Sequence, residues 1–279
     1  MSIFEPAERR KLRRVLRALC NNIQDLELHE FDVHQGKAHN IIILPLDLEG
    51  QSDARPYFFT PCSASIMADP VESMTGEGRE FIEFDSFPEH HRDPLYCSRW
   101  LFDRFSGYIS LCSDFSDRDE AYELKKLQSD LSIDEPPLTN LHQFSYPEWL
   151  TVWATKLAKG SQPHIKAFVC NNMNGTNAKV LRGEVMVTLR LMIAQMKSVR
   201  FVEQLTAPVL LFSFMGPQHA RLIEAYFDGN SLIMRPTRLF DLRKMDADVI
   251  RTMGQWFFGM ATGETTRLWE AGSRACSRT

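Results

Sequence analysis

The apolar positions of the chain fall into runs of different period, and each period predicts an element. The densest run is Val209-Leu210-Leu211-Phe212-Ser213-Phe214-Met215, held between Pro208 and the breaker pair Gly216-Pro217. A short, nearly continuous apolar run of this kind reads as a strand buried on both faces. From His219 to Asp228 the pattern alternates instead, with Ile223, Ala225 and Phe227 on one side and Leu222, Glu224 and Tyr226 on the other. Asp228-Gly229 is a hairpin signal, because glycine accepts the positive φ of a tight primed turn without steric penalty. Ser231 to Arg235 returns as a third strand, and Pro236, which has no N–H to donate, stops the ladder. The expectation is a three-stranded antiparallel meander.

Helical spacing dominates elsewhere. Pro6 opens an amphipathic helix to about Asp25, with Leu12, Val15, Leu16, Leu19, Ile23 and Leu26 as its apolar stripe. Arg9, Arg10, Lys11, Arg13, Arg14 and Arg17 are expected on the opposite, solvated side, where the sharper reading is contact with an anionic surface or an acidic protein. A short aromatic helix is expected around Tyr96, Trp100, Leu101, Phe105 and Tyr108, and another from Asp117 to about Gln128. A helix carrying Trp149, Leu150, Trp153 and Leu157 should start near Tyr146-Pro147 and end at Gly160. Thr176 or Asn177 should cap a long helix to about Val199, with Leu181, Val185, Leu189, Met192, Met196 and Val199 as its stripe. Asp246 caps the last helix, with Val249, Ile250, Met253, Phe257 and Met260 facing in. Further strands are expected at His29–His34, with a turn at Gln35-Gly36-Lys37, and at Asn40–Leu44, Tyr57–Phe59, Glu80–Phe84 and His164–Cys170.

Composition narrows the function classes. With 279 residues, 44% hydrophobic and 24% charged, the chain has an ordinary globular balance and room for one large domain or two modest ones. A formal net charge of -4 argues against a dedicated nucleic-acid binder, whose footprint is basic. No apolar run approaches the roughly 20 residues that cross a bilayer, and residues 1–6 hold no apolar signal core. The expected location is cytoplasmic, with a nuclear one also compatible. Six single cysteines without a Cys-x-x-Cys pair point to reduced thiols. His90-His91 with Asp93 and Cys97 matches no zinc spacing, and no nucleotide-binding, P-loop, nucleophile-elbow or zinc-protease motif occurs. No cofactor and no metal site is expected.

The order helix, strand, strand, strand, helix across residues 176–260 resembles the core of the PD-(D/E)XK nuclease-like fold. In that family a helix Glu, a strand Asp and a Glu-x-Lys hold Mg²⁺ for phosphodiester hydrolysis. The resemblance points to Glu184 on the helix and Glu224 on the middle strand as candidate catalytic residues. The following strand has Ile233-Met234-Arg235 where the acidic-x-Lys element belongs, so the implied site is degenerate. The run from Ala207 to Arg221, continuing through Glu224 to Gly229, also looks like a segment of uncharacterised proteins from filamentous fungi, some encoded near specialised-metabolism genes. That resemblance implies a fungal intracellular protein and brings no activity.

The combined expectation is an α+β protein. A C-terminal helix–meander–helix part, 138–279, packs with an N-terminal α/β part, 1–137, the Pro-bearing stretch Ile133–Pro137 marking the boundary unless the two form one continuous domain. The leading function is a non-catalytic binding or accessory protein. The alternatives are a degenerate metal-dependent nuclease-like protein and a small-molecule enzyme with its pocket between the two parts, near Trp100, Phe105 or Trp153.

Overall fold

The run expected to be buried on both faces forms the middle of a mixed sheet, with helices covering each face. The computed structural model describes residues 5–50, 53–75, 80–114, 119–133 and 138–269. In chain order its strands are β1 (Glu30–Phe31), β2 (Ile41–Ile43), β3 (Phe59–Thr60), β4 (Gln128–Asp130), β5 (His142–Gln143), β6 (Trp149–Leu157), β7 (Ile165–Asn174), β8 (Val180–Leu181), β9 (Val209–Gly216), β10 (His219–Phe227), β11 (Leu232–Pro236), β12 (Phe240–Asp241) and β13 (Met260–Ala261). Its helices are α1 (Ala7–Gln24), α2 (Val33–Ala38), α3 (Pro70–Ser73), α4 (Pro94–Asp114), α5 (Asp119–Lys126), α6 (Arg182–Lys197) and α7 (Ala247–Phe258). Among the described residues the main sheet has nine strands, in the order β2-β11-β10-β9-β7-β6-β4, with β12 also on β10 and β5 also on β6. The fold is α+β, as expected.

The meander is present as read. β10 pairs antiparallel with β9 and with β11, and the hairpin closes at Phe227 opposite Leu232. Gly229 has φ +104° while Asn230 keeps a negative φ, the pattern of a turn that needs glycine at its first central position. The Asp228 carboxylate accepts the N–H groups of Asn230 and Ser231 at 2.9 and 2.7 Å, a side-chain closure typical of Asp in turns. Two parallel pairings extend the sheet beyond the meander, β9 with β7 and β11 with β2. The first requires a crossover, which α6 supplies. β2 and β4 come from before residue 137 and the other strands of this sheet from after it, so both portions of the chain build one sheet.

Alternation along the strands sorts side chains onto two faces. Ile223, Ala225 and Phe227 join Val209, Leu211, Ala167 and Val169 in a core beneath α6, with α1 packed on α6. Leu222 and Tyr226 join Leu210, Phe212, Phe214 and Phe168 in a second, aromatic core beneath α4 and α7. Within it Phe168 and Phe212 stack at 4.6 Å between ring centroids.

Several expectations are corrected. Trp149 to Leu157 is strand β6, not a helix. A bulge between Thr151 and Trp153 shifts its pairing with β7, so the apolar residues lose strict alternation and imitate helical spacing. His29–His34 gives only the two-residue β1. Asp32 then caps α2 in a reciprocal box with Gln35, so the expected turn at Gln35-Gly36-Lys37 lies inside a helix. Glu80–Phe84 is not a strand; Phe84 starts a 3₁₀ turn and its N–H donates to Arg243 O at 2.8 Å. α6 begins at Arg182 rather than near Thr176, because Val180 and Leu181 first pair with β1. It ends at Lys197, leaving Val199 59% exposed. Met260 lies beyond α7 in β13 and is exposed. The aromatic helix is longer than expected, 21 residues as α4. The expected helix start at Asp117 and most of the Ile133–Pro137 boundary lie outside the described residues.

Candidate functional site

Glu184 and Glu224 are both fully buried, and each is bound to an arginine. Glu184 sits in the first turn of α6, where its Oε2 accepts the Leu181 N–H at 2.6 Å and closes the helix N-terminus. The Arg221 guanidinium, from β10, meets it with both arms: Nε to Oε1 at 2.8 Å and Nη2 to Oε2 at 2.5 Å. Arg221 Nη1 also donates to Thr176 O and Lys179 O, so the pair fixes the corner before the helix. Such a two-armed contact is the strongest form of carboxylate pairing.

Glu224 is held differently. Its carboxylate accepts Tyr57 N–H at 2.8 Å, Phe58 N–H at 2.7 Å and Arg235 Nη1 at 2.6 Å. Arg235 stands directly opposite on β11, donates through Nη2 to Asp53 O and Arg55 O, and lies 3.9 Å above the Tyr57 ring. Burial pushes the Glu224 carboxyl above its usual range, against the pull of the Phe58 and Tyr57 N–H groups and Arg235. The pair fastens the segment 53–58 onto the meander.

These carboxylates do not form one site. Arg221 and Glu224 are three residues apart on a strand, so they point to opposite faces. Glu184 and Arg221 lie under α6 with Ile223 and Ala225; Glu224 and Arg235 lie on the α4–α7 side with Leu222 and Tyr226. With the sheet between them, Glu184 and Glu224 cannot ligate a common Mg²⁺. The same alternation separates His219 from Tyr226. His219 Nε2 is 3.8 Å from Asp241, and burial lowers its pKa.

The basic face of α1 is also revised. Arg9 is 2% exposed and donates to Gln195 O, Ser198 O and Gln204 O, each at 3.2 Å, covering two carbonyls at the end of α6 and one in the segment after it. Burial lowers its pKa. It cannot meet a partner, and its spacing from Leu12 and Leu16 places it on the apolar stripe. Arg13 donates to Glu5 at 2.7 Å and Arg10 lies 3.8 Å from the same carboxylate. Lys11, Arg14 and Arg17 are exposed, with no hydrogen-bond or ion-pair partner among the described residues.

One cluster escaped the sequence reading. His164 and Lys166 enter β7 on the α4–α7 side, where Lys166 Nζ donates to Phe257 O at 2.6 Å and Gly259 O at 2.5 Å, capping α7. Burial lowers Lys166 to about 7 and His164 to about 4; His164 Nε2 lies 2.8 Å from Thr262 O. A neutral lysine amine still has two N–H groups, one for each carbonyl. The adjoining cleft, lined by Phe59, Gln128, Thr155 and Met260 among others, has a volume of about 20 Å³, enough for a water and not for a substrate. Its signal in the sequence was a cation inside the apolar run Ile165–Cys170. Among the described residues, Phe105 borders a void of about 10 Å³, Trp153 stacks on Phe168, and Trp100 packs edge-on against Phe81 and Phe87.

A larger concavity lies elsewhere. A groove of about 590 Å³ runs between Pro45–Glu49, Thr237–Phe240 and the first turns of α7, from Asp246 to Thr252. Leu46 and Thr237 are buried in it, Leu48, Phe240 and Val249 are half-buried, and Asp47, Glu49, Arg238, Asp246 and Asp248 are exposed. Parallel pairing of β2 with β11 brings its first two walls together. Among the described residues no group of three or more His, Cys, Asp or Glu side chains is placed to hold a metal ion, and no helix is long and apolar enough to cross a membrane. No protein-family model, curated protein or solved structure matches the chain.

Proposed function

We propose that the protein is a non-catalytic binding or accessory protein whose ligand occupies the groove between Pro45–Glu49, Thr237–Phe240 and α7. The observation that carries this reading is the groove itself. Its volume of about 590 Å³ falls within the range of small-molecule sites, roughly 300–1,000 Å³, and its lining combines apolar side chains with a few polar groups. The buried carboxylates support it indirectly: each is committed to an arginine and to backbone donors that hold a loop in place. The resemblance to fungal proteins would make the ligand a specialised metabolite or its precursor.

The test is a ligand screen by thermal shift and ligand-observed NMR on the full chain, beside Val249→Trp, which fills the groove. Saturable binding lost in the variant supports the reading. Hits that bind the variant equally well, or no hits from a broad small-molecule library, count against it.

A second contact is favoured by one observation, the uncommitted cations Lys11, Arg14 and Arg17 on the outer face of α1. The apolar stripe of α1 is spent on the core, leaving charge alone to attract a partner, which fits an acidic protein surface better than insertion into lipid. Binding to polyglutamate that weakens with salt and disappears in Arg14→Glu with Arg17→Glu is the expected result. Salt-independent binding would argue against it.

A further inference from the structure

The charge of the groove is lopsided. Four carboxylates, Asp47, Glu49, Asp246 and Asp248, stand at its mouth against one cation, Arg238. Three of the four are engaged, each through one oxygen. Asp246 Oδ1 caps α7 by accepting the Asp248 and Val249 N–H groups, and Asp248 accepts Arg251 Nη1 at 2.9 Å. Across the groove Asp47 uses one oxygen, Oδ1, to accept the Glu49 N–H at 3.1 Å, and the Glu49 carboxylate has no partner among the described residues. The least engaged of the four, Glu49, therefore stands on the Pro45–Glu49 wall with Asp47, beside apolar surface from Leu48, Phe240 and Val249.

A concavity lined by one sign of charge focuses its field and concentrates ligands of the other sign. A neutral apolar ligand would gain nothing from these carboxylates, and an anionic one would be repelled by them. We propose that the groove selects a small organic cation, an ammonium or guanidinium on an apolar body, with the charged end at Asp47 and Glu49 and the body against Leu48, Phe240 and Val249. This inference rests on reading the groove as the binding site.

Three probes that share one body separate the two claims: 1-naphthylmethylamine, 1-naphthylmethanol and 1-naphthylacetate, titrated against the full chain by equilibrium dialysis. At low salt the amine should bind about tenfold or more tightly than the alcohol, the margin shrinking as salt screens the carboxylates. Asp47→Asn with Glu49→Gln should erase that margin and leave alcohol binding intact, since the side-chain amide at position 47 keeps an acceptor oxygen for the N–H of residue 49. Val249→Trp should block all three probes, and Leu48→Trp repeats the block from the opposite wall if the first variant does not fold. Equal binding of amine and alcohol, or strongest binding of the acetate, overturns the cation assignment while the groove remains the site. No binding of any probe, or binding that survives both tryptophan variants, overturns the groove reading itself and the assignment with it.

Discussion

The two buried Glu–Arg pairs use the same chemistry for different purposes. Glu184–Arg221 is a local fastener: its backbone partners, Leu181, Thr176 and Lys179, all lie within the corner that leads into α6. Glu224–Arg235 is a long-range one, joining β10 and β11 to the backbone of residues 53–58, more than 160 positions away in the chain. Both are fully buried, where a charge is tolerated only if paired and saturated with hydrogen bonds. A buried carboxylate inside a strand therefore need not mark a reaction centre. Here its donors are mostly backbone groups of segments that have no ladder of their own.

The largest expected effects come from removing one arginine at a time. Arg221→Met and Arg235→Met should each destabilise by about 3–5 kcal/mol in denaturant unfolding, because each strands a buried carboxylate. Hydrogen exchange should separate them: Arg235→Met exposes amides 53–58, and Arg221→Met exposes those around 176–181. Loss of protection at the same sites in both would dissolve the distinction. Phe212→Ala, on the aromatic face that holds Glu224, should lose a similar amount, about 3–5 kcal/mol, through the cavity it leaves. A change below about 1 kcal/mol would show that this run does not carry the core.

The two faces should also differ in pH response. The α4–α7 face holds His164 and Lys166, both lowered by burial, to about 4 and about 7. For a base whose folded value is depressed, the unfolded chain binds the extra proton, so stability rises with pH between the folded and unfolded values. Lys166 should thus add stability as pH climbs from about 7 toward 10.5, and His164 from about 4 toward 6.5. In Lys166→Met the upper rise should vanish, although α7 also loses its cap. An unchanged slope above pH 7 would mean that the amine titrates normally.

Smaller effects concern the turn and the chemistry. Gly229→Val should destabilise by about 1–3 kcal/mol, since φ +104° strains a branched residue and its Cβ would lie 3.0 Å from Leu268. An effect within surface scatter, about ±0.5 kcal/mol, would remove the turn's importance. The smallest expected effect is on turnover. The purified protein should not cleave DNA or RNA with Mg²⁺ or Mn²⁺, because Glu184 and Glu224 face opposite sides of the sheet. Metal-dependent cleavage lost in both Glu184→Gln and Glu224→Gln would restore the nuclease reading.

What the sequence determined by itself was local. Continuous apolar character from Val209 to Met215, alternation after His219, Asp228-Gly229 and the Asp246 cap each act within a few residues, and each appears in the structure where the pattern placed it. The α2 capping box was legible too, as Asp32-x-x-Gln35, but the alternation of His29–His34 masked it. Arg9 could have been assigned to the apolar stripe of α1 by spacing alone. Tertiary structure decided the rest. Trp149–Leu157 became a strand because β4, β5 and β7 offered it hydrogen-bonding partners, and its bulge erased the period that would have announced it. The partners of Glu184, Glu224 and Lys166 lie on other elements, and no spacing within one element specifies them. The groove exists only because β2 adds in parallel to β11, bringing residues 45–49 beside 237–240. Pairing between distant strands depends on which edges remain free once the central sheet has formed, and that is a property of the assembled fold.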